Sequence, residues 1–204
     1  MLFSSTNTWK SFDSIGEEYF VGSSVQADTL TKKSTEELTN KDIYVKQPEG
    51  NVQCTLYSTV MMLRRDAILD GDTNWKEITV DSVEQVAWSG SGLLYEFTYD
   101  DMNVKTTANT LDPNLSTEEK KKVLIEALQQ HPEGIVFYVA GYNAMHAVLL
   151  TSYDADSDTF YCYDPAMCAP DAIIPIMDSS YATTYHIEDM DTLIASMNYY
   201  WYVE

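Results

Sequence analysis

Residues 54–69 read CTLYSTVMMLRRDAIL, and their apolar positions recur at the spacing of an α-helix. One stripe follows intervals of four, three and four residues: Leu56, Val60, Leu63 and Ala67. Further apolar residues leave the first three turns apolar nearly all round, which is typical of a helix buried in a core. Residues 64–66 (Arg-Arg-Asp) are then expected to be its solvent-exposed end. The stretch therefore predicts a core helix that begins with a cysteine.

That cysteine, Cys54, follows a polar loop at residues 47–51. The first turn of a helix presents unpaired N–H groups and partial positive charge, which stabilise a thiolate. The amide of Cys54 can also donate to a developing oxyanion. Most lone cysteines are small buried hydrophobic residues, so Cys54 alone is weak evidence for catalysis.

Two further residues give the cysteine possible partners. His146 opens a strand-like run at residues 147–151, and Asp164 closes another at residues 160–163. A short turn at residues 154–158 joins these strands into a hairpin, so the start of the first strand lies near the end of the second. A carboxylate there can accept the imidazole N–H and fix its tautomer. We therefore expect Cys54 as nucleophile, His146 as base and Asp164 as the group that orients the base.

The remaining histidines and the acidic run at residues 154–158 do not indicate a further functional site. His131 lies at a helix C-terminus, where a cation is favourable, and His186 lies in a polar stretch without a strong pattern. The alternating acids of residues 154–158 lack the glycine and the glutamate that a calcium loop needs, so we interpret them as a hairpin turn. The chain has neither a Gly-rich phosphate loop nor zinc-ligand spacing, and we predict no metal and no cofactor.

The remaining pattern predicts an α+β fold, with N-terminal helices packed on a C-terminal antiparallel sheet. A second helix is capped by Thr79 or Asp81, and Ser116 with Glu119 has the spacing of a capping box. Residues 93–99 are a strand or an irregular aromatic segment. The predicted strands lie at residues 43–45, 135–139, 147–151, 160–163 and 198–203. We interpret residues 1–43 as a polar N-terminal extension or linker and residues 44–204 as one domain.

Composition excludes several classes of partner. The net charge of −20 leaves no basic patch, so we expect no nucleic acid. No apolar run reaches about 18 residues, so we expect no membrane insertion, and residues 1–5 do not resemble a signal peptide. Three cysteines exclude a disulfide framework. One bridge between Cys162 and Cys168 is possible, but a buried, reduced Cys162 is the preferred interpretation.

The order of the three candidate residues resembles that of papain-like cysteine peptidases, in the bacterial branch that includes bacteriocin leader-processing peptidases. The histidine follows the cysteine by 92 residues and the aspartate follows by 18 more. The resemblance rests on residues 53–56 (QCTL) running into a helix, 145–151 (MHAVLLT) and 160–165 (FYCYDP). Residues 132–136 (PEGIV) are similar to secreted members from Gram-positive bacteria. The resemblance implies a papain-like fold over residues 44–204, acyl-thioester catalysis on a peptide or protein substrate, and a secreted or cell-surface location.

The chain departs from the family at two positions. The family often has glycine after the cysteine, where this chain has Thr55. It usually has an oxyanion glutamine about six residues upstream of the cysteine. Here Gln47 lies seven residues upstream and Gln53 is adjacent, and we favour Gln47. A displaced donor costs about 10²–10³ in rate. An inactive papain-like binding module therefore remains an alternative. A transglutaminase-like acyl transferase is another, because it uses the same three residue types in the same order, and the oligomeric state is left open.

Overall fold

The computed structural model describes residues 38–48, 51–90, 92–139, 145–166, 174–175 and 190–204, and the structural statements that follow concern these residues. The four helices are α1 (Cys54–Leu69), α2 (Val80–Ala87), α3 (Thr117–Gln130) and α4 (Met190–Ala195). The nine strands are β1 (Trp88–Ser89), β2 (Gly92–Leu93), β3 (Phe97–Tyr99), β4 (Met102–Thr106), β5 (Ile135–Val139), β6 (His146–Asp154), β7 (Thr159–Tyr163), β8 (Ile174–Pro175) and β9 (Met197–Val203). Short 3-10 helices occupy Lys41–Ile43 and Trp75–Glu77.

Among the described strands, seven form one sheet in the order β3-β4-β9-β5-β6-β7-β8, and every neighbouring pair is antiparallel. The last strand, β9, is therefore central, between β4 and β5. The predicted α+β class with an antiparallel sheet is confirmed. The predicted chain order is right only in part, because β3 and β4 precede α3.

The sheet separates two apolar cores, since alternate residues of a strand point to opposite faces. On one face α1 packs against Val136, Leu149 and Trp201. On the other face α3 and α4 pack against Phe137 and Leu150. Both faces of the central strands are thus covered, which places α1 directly on the strands that carry the predicted site.

Helix α1 is more deeply buried than its sequence suggests. Its first ten residues are all buried, as predicted. The predicted exposed end is wrong for Arg65, which is 4% exposed. Its guanidinium donates to the carbonyl oxygens of Glu133, at 2.6 Å, and Pro132, at 3.0 Å. Backbone acceptors satisfy the buried cation, and Arg65 thereby attaches α1 to the turn before β5.

Helix capping follows the sequence closely. Thr79, not Asp81, caps α2, and its hydroxyl accepts from the amide of Ser82. The predicted capping box of Ser116 and Glu119 opens α3. The predicted strands 135–139, 147–151, 160–163 and 198–203 all appear, within β5, β6, β7 and β9.

One expected strand is absent from the described residues, and some elements were not expected. The expected strand at residues 43–45 is wrong: Lys41–Ile43 is a 3-10 helix, capped by the Asn40 side chain, which accepts from the Asp42 amide. Residues 93–99 are interrupted between β2 and β3, as in the irregular alternative. The sequence did not predict β4 or α4. Cys168 and His186 lie outside the described residues, as does most of the predicted extension, but Ile43 is fully buried in the same core as α1.

Gly134, at the turn before β5, has a φ of +100°, a conformation that L-residues with side chains rarely adopt. A Cβ atom there would lie 2.5 Å from the carbonyl oxygen of Leu150. We expect Gly134→Ala to lower the free energy of unfolding by about 3 kcal/mol or more, from backbone strain and the clash together.

Gly71 is the matched control, because its φ is +80° but nothing lies within 4 Å of a Cβ added there. Gly71→Ala is expected to cost only about 1 kcal/mol, from the backbone conformation alone. Urea unfolding followed by circular dichroism measures both variants. Equal losses would contradict the close approach of Gly134 to β6.

Candidate active site

Cys54 is the first residue of α1 and is 8% exposed. The chain enters the helix through a turn that Asn51 stabilises. The Asn51 side chain accepts from the amide of Gln53, at 2.6 Å, and donates to the Gln53 side-chain oxygen, at 2.9 Å. These bonds hold the residues before the helix, so the thiol lies at the helix end, where the unpaired amides concentrate partial positive charge.

His146 is the first residue of β6, paired with Val139 of β5, and is 6% exposed. Its Nε2 lies 3.2 Å from Oδ1 of Asp164. The Cys54 side chain is the second hydrogen-bonding partner of the ring. Because Nε2 faces the carboxylate, Nδ1 is the nitrogen that can face the sulfur. The structure thus brings together the three residues that the sequence singled out.

The charges around His146 favour its protonated form. Burial by itself lowers the pKa of this histidine, but the hydrogen bonds and charges of Asp164 and Cys54 outweigh burial and raise it to about 9. The imidazole is therefore a buried cation at neutral pH, with the Asp164 carboxylate on one side and the Cys54 sulfur on the other. Such a cation stabilises a neighbouring thiolate and can also deliver a proton.

The pairing of β6 with β7 places Asp164 beside His146. The register joins Leu149 to Tyr163 and shifts by one residue between Leu150 and Ser152, where Thr151 is the extra residue of a β-bulge. Continuing the register by one residue sets Asp164 opposite Val148. His146 lies two residues from Val148 on the same face, so base and acid are diagonal neighbours rather than directly opposite.

A second set of bonds holds the acid in place. The carboxylate of Asp164 accepts from the amide of Ala166, at 2.9 Å. Its backbone oxygen accepts from the hydroxyl of Tyr44, at 2.9 Å. The backbone amide of Gln47 donates to the carbonyl of Pro165, at 2.7 Å. The segment before α1 is therefore tied directly to the segment after β7, which brings Gln47 to the acid side of the site.

The two candidate oxyanion residues have different surroundings. Gln53 donates its side-chain amide to Glu84 of α2, at 2.6 Å, and its side-chain oxygen accepts from Asn51. Gln47 is buried, its side-chain amide donates to the backbone oxygen of Asn51, and its side-chain oxygen has no hydrogen-bond partner among the described residues. Each side-chain amide thus donates one hydrogen bond and keeps a second N–H, and the two differ in direction: the Gln53 amide faces α2, whereas the Gln47 amide faces the loop before α1.

Sequence reasoning missed two tyrosines at the site. Tyr44 holds the acid, as described, and Tyr138 of β5 pairs with Ala147, the residue that follows the base. Burial, followed by the proximity of Cys54 and Tyr95, raises the pKa of Tyr138. Strand alternation could have placed Tyr138 on the α1 face, but its approach to Cys54 depends on the register of β5 against β6.

No cluster of His, Cys, Asp and Glu able to hold a metal ion occurs in the described part of the chain. None of the described helices is long and apolar enough to cross a bilayer. Cys162 of β7 is buried. Comparison with protein-family models, with curated proteins and with solved structures finds no match to this chain.

The pKa of His146 measures the strength of its ion pair with Asp164. We expect its ring resonances, followed by NMR in histidine-labelled protein, to titrate near pH 9. Asp164→Asn is expected to bring that pKa down, because a carboxylate charge is lost while burial remains. A folded-state pKa above the unfolded value of about 6.5 stabilises the fold fully below pH 6.5. This stabilisation is lost as pH rises through about 9. An unchanged pKa in the variant would contradict the ion pair.

Proposed function

We propose that the protein is a cysteine peptidase, a papain-like hydrolase that cleaves peptide bonds through an acyl-thioester. The observation that carries the proposal is the hydrogen-bonded order of Cys54, His146 and Asp164. Nucleophile, base and orienting group are recognised by this geometry rather than by their position in a sequence. The described region is α+β with the cysteine helix on an antiparallel sheet, which agrees with such a fold but does not by itself identify it.

In the proposed reaction Cys54 has already given its proton to His146, and the resulting thiolate attacks the carbonyl carbon of the substrate. The carbonyl electrons move to its oxygen. His146 gives its proton to the leaving amine as the C–N bond breaks, which leaves a thioester on Cys54. A water molecule then attacks the thioester, His146 accepts its proton, and the thiolate leaves as the carboxylic acid product is released. Asp164 keeps the imidazole in one orientation throughout and stabilises its charged form.

The oxyanion of both tetrahedral intermediates needs hydrogen-bond donors. The backbone amide of Cys54 belongs to the unpaired first turn of α1 and is one proposed donor. The Gln47 side chain is the other, because its backbone is tied to Pro165 on the acid side of the site. Gln53 is the weaker candidate, since its side-chain amide is directed to Glu84 of α2 and not to the acid side of the site.

A non-catalytic binding module is the second candidate, favoured by the low exposure of Cys54, 8%. A thiol kept inert by burial would make the same contacts without turning over a substrate. The two functions differ in one measurable property: access of an electrophile to the sulfur.

Labelling by an electrophilic peptidyl inhibitor distinguishes these functions. We expect one covalent adduct on Cys54, located by peptide mass spectrometry, at pH 6, where the imidazole is protonated. His146→Ala is expected to slow the labelling by about 10²-fold or more, because the thiolate loses its partner cation. The buried Cys162 is an internal control and should stay unmodified. Absence of label on Cys54, or equal rates in both proteins, would refute the peptidase.

The oxyanion assignment is tested by a pair of glutamine variants. We expect Gln47→Ala to lower the turnover of a fluorogenic peptide by about 10²–10³-fold, because one donor to the transition state is removed. Gln53→Ala is the matched control and should lose much less, since its side chain donates to α2. The measurement is kcat under saturating substrate, with folding checked by circular dichroism. A larger loss in Gln53→Ala would reverse the assignment.

A further inference from the structure

Several exposed apolar side chains lie on the chain segments that adjoin the proposed catalytic residues and α2. Within the described ranges, the exposed large hydrophobic residues are Val52, Val86, Leu94, Tyr95 and Met145. Contiguous exposed apolar surface on a soluble protein usually marks a binding site. The location of each of the five therefore matters.

Two of them flank the catalytic residues along the chain. Met145, 70% exposed, directly precedes His146. Val52, 85% exposed, lies two residues before Cys54. A third, Val86, belongs to α2, the helix whose Glu84 binds the side chain next to Cys54.

The other two follow α2. The amide of Leu94 donates to the carbonyl of Ala87, the last residue of α2, at 2.7 Å. The carbonyl of Leu94 accepts from the indole of Trp201 in β9, at 3.0 Å. These bonds fix Leu94, and hence its neighbour Tyr95, against the α1 face of the sheet.

Tyr95 is the outer member of a stack of aromatic rings that reaches the site. Its ring packs edge-on against Tyr199, with centroids 5.7 Å apart. Tyr199 stacks on its cross-strand partner Tyr138, at 4.9 Å. Tyr138 in turn pairs with Ala147, beside the base, and packs on the core that contains Cys54. We call Tyr95, Tyr138 and Tyr199 the tyrosine wall.

The tyrosine wall presents ring surface rather than polar groups. The hydroxyls of Tyr95 and Tyr199 hydrogen-bond to each other, so the exposed Tyr95 offers a ligand its ring rather than its hydroxyl. Tyr95 is 52% exposed, whereas Tyr138 and Tyr199 are half-buried. A flat apolar group laid against these rings would bury apolar surface and gain aromatic contacts.

From this arrangement we infer that the tyrosine wall is the specificity subsite of the enzyme, and that it binds a large apolar or aromatic side chain of the peptide substrate next to the bond that Cys54 attacks. The inference rests on the proposed peptidase function. It assigns Tyr95 as a specificity-determining residue. Binding at this subsite would position the scissile carbonyl over the sulfur, so that side-chain contacts contribute to the rate of reaction.

Two neutral alkylating reagents test the subsite without a known substrate: N-phenethyl iodoacetamide and N-(2-hydroxyethyl) iodoacetamide. The readout is the ratio of their second-order rates at Cys54, divided by the same ratio for glutathione. Intrinsic thiol reactivity cancels in this ratio. We expect the aromatic reagent to be favoured about tenfold in the wild-type protein. Tyr95→Ala is expected to reduce that preference about three- to tenfold, by loss of the outer ring.

Tyr202→Ala is the matched control. Tyr202 belongs to the same strand as Tyr199 but packs on the opposite core, so the preference should persist in this variant. Circular dichroism checks that both variants are folded. A reactive Cys54 with no aromatic preference, or with a preference unchanged in Tyr95→Ala, would overturn the subsite alone. A Cys54 that reacts with neither reagent would overturn the proposed peptidase and the subsite with it.

Discussion

The structure depends on the enclosure of α1. A helix with ten consecutive buried residues must be covered on every side, and here the central strands, α2 and the segment before the helix provide that cover. Its head therefore cannot shift without opening the core. Cys54, at that head, belongs to the same buried core, although a nucleophile must also face a ligand. The hydrogen-bonding partner of its sulfur comes from the strand end beside it, where His146 lies.

Rigidity at the acid side has a different source. Asp164 lies just beyond β7, so ladder bonds of the strand do not hold its backbone. Instead, the segment before α1 holds it: the Tyr44 hydroxyl donates to the backbone oxygen of Asp164, and the backbone amide of Gln47 donates to that of Pro165. One stretch of chain thus positions both the head of the helix and the acid. The same stretch carries the oxyanion candidate Gln47, which makes these few residues the link between the two halves of the proposed site.

Much of this arrangement could be predicted from local sequence. The helical periodicity of α1, the cap of α3 and the β-branched runs of the central strands are local signals, and each appeared where expected. The Asp164 contact followed from hairpin topology. Contacts between residues far apart in the chain could not be predicted from local sequence. Arg65 looked like a solvated charge because its acceptors lie 67 and 68 residues away in the chain. Tyr138, Tyr199 and Tyr95 come from separate segments, and only the register of the sheet assembles them.

The β-bulge at Thr151 affects how many residues can separate His146 and Asp164 along the chain. Ser152 pairs with Tyr161 on the turn side of the bulge. If that register continued without a bulge, Asp164 would lie opposite Leu149, whose side chain points to the other face of the sheet from that of His146. Because Thr151 is an extra residue, the pairs before it and the pairs after it follow two different registers. A hairpin lacking this one residue would hold the same acid and base in the same relation. The interval of 18 residues is therefore incidental to the geometry, since a residue can be lost at the bulge without separating His146 from Asp164.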